Sequence, residues 1–525
     1  MNRRQFVSAT ALAGAAVSRA AAPKPVTSTN LDEVTVGELQ RRMRQEAFTS
    51  EQLTALYLAR IEDIDRKGPV LRSVIEVNAD APFIARALDA EYKSKGPRGP
   101  LHGIPVLIKD NIETGDKMQT TAGSLALVGQ PAARDSWVAE RLRAAGAIIL
   151  GKTNLSEWAN FRSTHSTSGW SGRGGLTKNP YALDRNPCGS SSGTGVAISA
   201  NLAAIGVGSE TDGSVVCPSS MCGLVGIKPT LSLISRAGII PIAHSQDTAG
   251  PMARSVRDAA LLLGALTGID PRDPATQASD GKSFPDYARF CNINGLRGAR
   301  IGIARQYFNM GAGVTAAMEH AIDLMRRAGA EIVDPVEFTS FEGWRDSEQQ
   351  VLLYEFKADL NQYLAGRGAA VKSLADCIAF NRAHRTEEMF YFEQELMEQA
   401  QAKGPLTEKA YTDALAANQR LARTEGIDAI LAKHKLDAIA GPTAGPAWLT
   451  DLVDGDRPDS GCSSPAAVAG YPHITVPAGH YFGLPLGLSF FGAAWSEPKL
   501  IALAYAFEQA SKIRRKPEFL TTVKL

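Results

Sequence analysis

Between Cys188 and Ser214 the chain passes twice through short turns built almost wholly of glycine and hydroxyl residues. The first is Cys188-Gly189-Ser190-Ser191-Ser192-Gly193-Thr194-Gly195. A helix of small residues (Val196 to Ala204) and a brief apolar strand (Ile205 to Gly208) follow, and the second turn is Gly208-Ser209-Glu210-Thr211-Asp212-Gly213-Ser214. Many of the 48 glycines crowd positions 169 to 226. Glycine lacks a Cβ and takes backbone conformations closed to other residues, so tight backbone geometry is expected here.

The surrounding text alternates helical and strand patterns. Val36 to Asp65 has helical periodicity through Leu39, Met43, Leu53, Leu56, Tyr57 and Ile61, with a helix start at Thr49-Ser50-Glu51-Gln52. Ile104 to Ile108 reads as a buried strand ending at Lys109-Asp110-Asn111. Asp135 to Ala145 reads as a helix, Ala147 to Leu150 as a strand, and Leu155 to Asn160 as the start of another helix. Such alternation predicts an α/β fold with a mixed sheet covered by helices on both faces. From about 310 to 435 the texture turns helical, as in Ser347 to Leu364 and Thr386 to Ala402, before α/β character returns at Leu436 to Pro442. The expectation is one large core carrying a helical insertion that lines the substrate entrance. Residues 23–525 form that domain.

Charge excludes some partners. With 56 Lys+Arg against 55 Asp+Glu, no global field favours nucleic acid or acidic lipid. The six cysteines and eight histidines show no zinc spacing and no HExxH, so neither metal nor other cofactor is expected. Buried thiols are the default reading of the cysteines, with a bridge open to them after export. Residues 1–22 join Arg3-Arg4-Gln5-Phe6-Val7 to a small-residue apolar run and Ala20-Ala21-Ala22, the pattern of a twin-arginine export signal into the periplasm. That run is too short to anchor the chain in a bilayer.

Three short motifs invite other chemistry. Gly146-Ala147-Ile148-Ile149-Leu150-Gly151-Lys152-Thr153 has P-loop spelling, but its intervening residues are themselves a strand, which commits their amides to a sheet. Ser279-Asp280-Gly281-Lys282 matches S-x-x-K within a polar loop, with no helix to set its geometry. Gly189-Ser190-Ser191-Ser192-Gly193 matches the nucleophile elbow G-x-S-x-G, yet polar Asn179 to Pro187 stands where a strand is required. An esterase using Ser191 with His473 or His480 is the alternative hydrolase this leaves.

The two serine turns, together with Gly103-Ile104-Pro105-Val106-Leu107-Ile108-Lys109-Asp110-Asn111 upstream, closely resemble the amidase signature family. So do Cys222 to Thr230, Gln246 to Met252, Ala440 to Thr443 and Thr475 to Gly479. The resemblance implies an amide hydrolase working through a Ser–cis-Ser–Lys triad and an acyl-enzyme. Motif for motif, the nucleophile falls on Ser214, the bridging serine on Ser190 and the base on Lys109. The oxyanion donors fall on the backbone amides of Thr211, Asp212, Gly213 and Ser214. Cys188 and Ser192 replace usual glycines, Asp212 another glycine, and Val216 an arginine. The segment Glu210 to Pro218 looks like the bacterial peptide amidase branch, which implies peptide C-terminal amides or small carboxylic amides as substrates, with release of ammonia or amine. The corresponding component of a tRNA-dependent amidotransferase shares the pattern, but it would need tRNA and protein partners.

The residue types suit that chemistry independently. A serine hydroxyl attacks only when a base takes its proton. A lysine is such a base only when neutral, which burial without a carboxylate partner can achieve. Lys109 closes an apolar strand, and Asp110 beside it is expected to point to the opposite face. Ser190 can relay a proton because a hydroxyl both donates and accepts.

Overall fold

The computed structural model describes residues 31–338, 343–368, 370–457 and 461–524. The expected signal segment, 1–22, lies outside them. Residues from Leu31 onward make one compact unit.

Eleven strands form the main sheet among the described residues. In chain order they are β1 (Val74–Val77), β2 (Pro105–Lys109), β3 (Ile148–Thr153), β4 (Ile205–Glu210), β5 (Val225–Lys228), β6 (Thr248–Ala253), β7 (Arg300–Ile303), β8 (Glu331–Val333), β9 (Ala438–Pro442), β10 (His473–Tyr481) and β11 (Leu484–Phe491). Their spatial order is β1-β3-β2-β4-β6-β5-β10-β11-β9-β7-β8. The sheet is mixed, as the alternating pattern predicted. The pairs β2–β3, β2–β4, β9–β7 and β7–β8 are parallel, and the others are antiparallel.

The central strands are buried along their whole length, which covers both of their faces. Such strands need a helical layer on each side. The connection from β3 to β4 contains the small-residue helix, which runs from Ser192 to Ser199, four residues earlier than its expected start. Every residue in it is buried. A Cβ on Gly193 would lie 2.4 Å from the carbonyls of Asn154 and Ser73, so only glycine permits this approach to the sheet.

The first helical stretch divides into Val36–Arg44, Ser50–Arg60 and a wider turn, Ile61–Lys67. Thr49 and Gln52 form a reciprocal capping box at the expected start. Leu155 to Asn160 departs from expectation. It makes only a short 3₁₀ turn at Glu157–Asn160, because Trp158 and Ala159 take left-handed backbone conformations. The helical insertion also starts later than its composition suggested. Ala312–Arg327 and β8 belong to the main core, and the insertion proper opens with the long helix Arg345–Arg367. Its later part is not one helix from 386 to 402 but two pieces, Arg385–Glu388 and Glu395–Gln401.

Candidate active site

Strands β2 and β4 run side by side in the same direction, with Ile108 opposite Val207. Their C-terminal ends therefore emerge at one edge of the sheet. That register carries Lys109 alongside Ser209 and the turn after it. The helix Ser192–Ser199 feeds into β4, so its N-terminal turn, with Ser190 and Ser191, returns to the same edge. Topology thus assembles three segments that lie up to 105 positions apart in sequence (Lys109 to Ser214).

Lys109 is fully buried. Its Nζ lies 2.7 Å from Ser190 Oγ, 2.9 Å from Ser209 Oγ and 3.1 Å from the Ser209 carbonyl. Burial pushes its pKa down to about 7, against the weaker upward pull of the Asp247 and Glu210 carboxylates. Asp110 is turned elsewhere. Its carboxylate takes the Thr121 hydroxyl and pairs with Arg173 at 3.2 Å. The Gly189–Ser190 peptide bond is cis.

Ser214 is 8% exposed and opens on a cleft shared with Gly189, Thr211 and Asp212. Its backbone carbonyl accepts from the Ser191 amide at 3.2 Å, which ties the two serine turns together. No hydrogen bond joins the Ser190 and Ser214 hydroxyls among the described residues.

The turn from Thr211 to Ser214 is held from three directions. The buried Glu210 carboxylate accepts the amides of Gly213 (3.0 Å), Val215 (2.7 Å) and Val216 (3.0 Å). Thr211 Oγ1 donates to Asp247 at 2.6 Å, and Ser464 Oγ donates to Asp212 at 2.6 Å. Of the four amides expected as oxyanion donors, that of Gly213 donates to Glu210 in this structure. The amides of Thr211, Asp212 and Ser214 meet no protein acceptor among the described residues. Gly213 itself adopts φ +76°, which lets the chain reverse so tightly.

Ser209, Glu210 and Asp247 were not singled out from sequence. The strand pattern hid them, since only the paired strands show that their side chains converge. The cysteines divide between the two readings that the sequence leaves open. Cys188 and Cys217 are joined by a disulfide across 29 positions, while Cys222, Cys377 and Cys462 are buried free thiols. That bridge staples the segment before Ser190 to the helix after Ser214. Cys188 sits at φ 60°, the left-handed region that suits the glycine it replaces, and Asn186 Oδ1 accepts its amide at 2.7 Å.

The competing motifs come apart. Ser191 is buried, and its hydroxyl donates to the Ser209 carbonyl at 3.1 Å and accepts the Ser209 amide at 3.2 Å. His473 instead contacts Ser489, and its pKa is pushed down to about 3 by burial and by Lys228. His480 packs near Tyr181, where burial and two arginines lower it to about 4. Lys152, in the P-loop lookalike, is part of β3 and donates to Thr120 Oγ1 at 2.7 Å. Ser279 is buried rather than solvated and gives its hydroxyl to the Thr276 carbonyl, while Lys282 is exposed and lies over the Trp495 ring.

Two adjoining cavities of about 570 and 540 Å³ form the cleft above Ser214. The insertion contributes Trp344, Arg345, Glu348 and Leu352, and the core contributes the disulfide, Trp448 and Asp456. Among the described residues one His/carboxylate cluster has ligand atoms within 4.8 Å of one another: His244, Glu355 and Asp359. His244 Nδ1 lies 2.9 Å from Asp359 and its Nε2 lies 3.4 Å from Glu355, the arrangement of an imidazolium between two carboxylates. Hydrogen bonding to Asp359 raises the His244 pKa accordingly.

The amidase family model matches residues 52–501. A probable amidase of Arabidopsis thaliana is 43% identical over 501 residues, covering 94% of this chain and 92% of the relative. The crystal structure of the native peptide amidase from Stenotrophomonas maltophilia superposes with a TM-score of 0.89 at 52% identity, covering 93% of this chain and 99% of that one. A glutamyl-tRNA(Gln) amidotransferase component of Thermoanaerobacter pseudethanolicus is 34% identical over 501 residues, covering 93% of this chain and 98% of the relative. With a family match spanning most of the chain and relatives aligned nearly end to end, this chain belongs to the amidase family.

Proposed function

We propose that this amidase hydrolyses peptide C-terminal amides and small carboxylic amides, with Ser214 as nucleophile, Ser190 as proton relay and Lys109 as base. The observation that carries the reading is the fully buried Lys109 amine 2.7 Å from Ser190 Oγ, with no carboxylate bonded to it. A neutral amine has two hydrogens and one lone pair. Two of its three contacts, the carbonyl and hydroxyl of Ser209, can accept those hydrogens. The lone pair is then left for the Ser190 proton. As Ser214 Oγ attacks the amide carbon, its proton passes to Ser190 Oγ and the Ser190 proton passes to Lys109. The free amides on the Thr211–Ser214 turn stabilise the tetrahedral oxyanion. Collapse expels ammonia or amine, protonated by the same relay in reverse, and leaves an acyl-Ser214 that water hydrolyses. The separated Ser190 and Ser214 hydroxyls would draw together once substrate fills the cleft, since catalytic hydrogen bonds are often long in free enzymes.

Peptide amides are favoured over the amidotransferase role by the fit to peptide amidase, which is far closer than the fit to the amidotransferase component. Export is proposed with it. A structural disulfide persists in oxidising compartments and is uncommon in the cytosol, so the Cys188–Cys217 bridge supports the reading of Arg3-Arg4 as part of an export signal. Among the described residues no helix is long and apolar enough to cross a membrane. The test is ammonia release from N-acylated peptide amides and from simple aliphatic amides, by wild type and Ser214→Ala. Peptide amides should be the better substrates, and Ser214→Ala should be inactive while still folded. Turnover by Ser214→Ala would overturn the assignment.

A further inference from the structure

One imidazole joins the helical insertion to the turn that supports Thr211. His244 lies in the tight turn from Ile242 to Asp247, where the amides of Gln246 and Asp247 both donate to the Ala243 carbonyl. The Asp247 carboxylate closes that turn by accepting the Ile242 and Ala243 amides at 2.8 and 3.0 Å. On one side the turn holds Thr211, through its hydroxyl to Asp247 at 2.6 Å and its carbonyl to Gln246 Nε2 at 3.3 Å. On the other side it meets the helix Arg345–Arg367. Asp359 lies 2.9 Å from both the backbone amide and the ring Nδ1 of His244. Glu355, fully buried, accepts the Ser245 amide at 2.9 Å and lies 3.4 Å from His244 Nε2. Both ring nitrogens therefore face carboxylates, and only the protonated ring presents an N–H to each.

We propose that His244 is a positioning residue, whose charged ring between Asp359 and Glu355 latches the insertion helix to the core turn and so sets the wall of the substrate cleft. The inference rests on the reading of the cleft above Ser214 as the substrate site. Arg345, Glu348 and Leu352 of the same helix line that cleft, so a helix that shifts on the turn moves them with it. A neutral ring keeps one N–H and turns a lone pair on the other carboxylate, which loosens the latch. The other charged or titratable groups around the ring are few. Tyr411, on the helix Lys409–Gln419, donates to Glu355 at 2.8 Å. Arg236 donates to the His244 carbonyl and pairs with Asp273 at 2.6 Å, and Asp247 lies in the same turn. Hydrogen bonding to Asp359 raises the His244 pKa, against desolvation and Arg236, with the Glu355 charge adding to the rise. The latch is thus complete below about 6.5, the ordinary histidine value, and is lost as pH rises through the raised one.

The experiment is the pH dependence of kcat and KM for ammonia release from an uncharged N-acylated peptide amide, in wild type, His244→Ala and Asp359→Asn, with Ser214→Ala alongside. Amide hydrogen exchange along Arg345–Arg367 is followed by mass spectrometry at the same pH values, corrected for intrinsic exchange. His244 is 45% exposed, so its replacement spares the core. Wild-type KM should step up about three- to fivefold on the alkaline side and then level off, since a partly exposed ion pair contributes modestly and the chemistry itself survives. Exchange along the helix should quicken over the same step. Asp359→Asn keeps an acceptor but loses the charge, so its step should come at least about half a pH unit lower. His244→Ala should show the higher KM and the faster exchange at every pH, with no step. A wild type without a step, coincident steps in wild type and Asp359→Asn, or a wild-type KM in His244→Ala would overturn the proposal. An active Ser214→Ala would instead remove the nucleophile while leaving the exchange step in place, so the two failures are separable.

Discussion

The base role proposed for Lys109 depends on surroundings that deny it charge. Its three contacts are to hydroxyls and a carbonyl, none of them ionised, and burial lowers its pKa to about 7. The two carboxylates that pull the other way, Asp247 and Glu210, are occupied with holding the turn from Thr211 to Ser214. The lysine must be neutral to work, so kcat/KM should fall about tenfold per pH unit below about 7. Lys109→Ala should lose activity by several orders of magnitude, whereas His473→Ala and His480→Ala should keep most of their turnover. Steady-state kinetics on purified, folded variants checks both. A histidine variant as damaged as Lys109→Ala would contradict the assignment.

At the scale of elements, the insertion is docked to the core by buried charge. Arg162 is fully buried, bonds Glu157 at 2.5 Å and lies over the Phe392 ring at 4.1 Å. Glu388 accepts the Ser124 hydroxyl at 3.1 Å and the Leu125 amide. Burial, then the Glu157 charge, pushes Glu388 up to about 9. A carboxyl whose folded pKa exceeds its unfolded value holds a proton that unfolding releases. Its stabilisation is full below about 4.5 and declines as pH rises from there to about 9. Glu388→Gln keeps the hydrogen bonds without the titration. It should therefore gain about 1–3 kcal/mol over wild type near the upper end of that window, with little gain near its lower end. Thermal unfolding across that range checks this, and a pH-independent difference would contradict it.

The elements also show how far the sequence could be read. Strand β2, ending at Lys109, was legible because five buried apolar residues run without interruption before a polar stop. The opposite facing of Asp110 followed from strand alternation alone. The spacing of Ser190 and Ser214 was legible through the motif, but the carboxylates behind them were not. Glu210 reads as an ordinary strand-end acid until its three amide contacts are seen. Glu348 reads as a solvated helical glutamate until the fold brings it to Gln246, whose side-chain amide it accepts at 2.9 Å. Cysteine pairing cannot be deduced from spacing, so the bridge between Cys188 and Cys217 appeared only in three dimensions. Trp158 and Ala159 take left-handed conformations in a segment bonded to distant parts of the chain, the Trp158 amide to the Ala122 carbonyl and the Ser156 amide to the Ser190 carbonyl, contacts that local propensity does not show.

For the molecule as a whole, the parallel register of β2 and β4 decides where chemistry can occur, and the insertion closes the cleft above that edge. A bridge that ties the two serine turns suits a protein that works where thiols stay oxidised. The proposed export makes a direct prediction: Arg3→Lys with Arg4→Lys should leave the precursor in the cytoplasm of a bacterium with twin-arginine transport. Fractionation and immunoblotting check it, and unchanged periplasmic recovery would contradict it. The central claim, that a buried neutral lysine activates Ser214 through Ser190, is met most directly by the pH dependence of serine labelling by a sulfonyl fluoride, with the site mapped by mass spectrometry. A single label on Ser214 is expected, forming at a rate that rises about tenfold per pH unit and levels off above about 7. A label on Ser191, or a rate on Ser214 that does not change across that range, would contradict it.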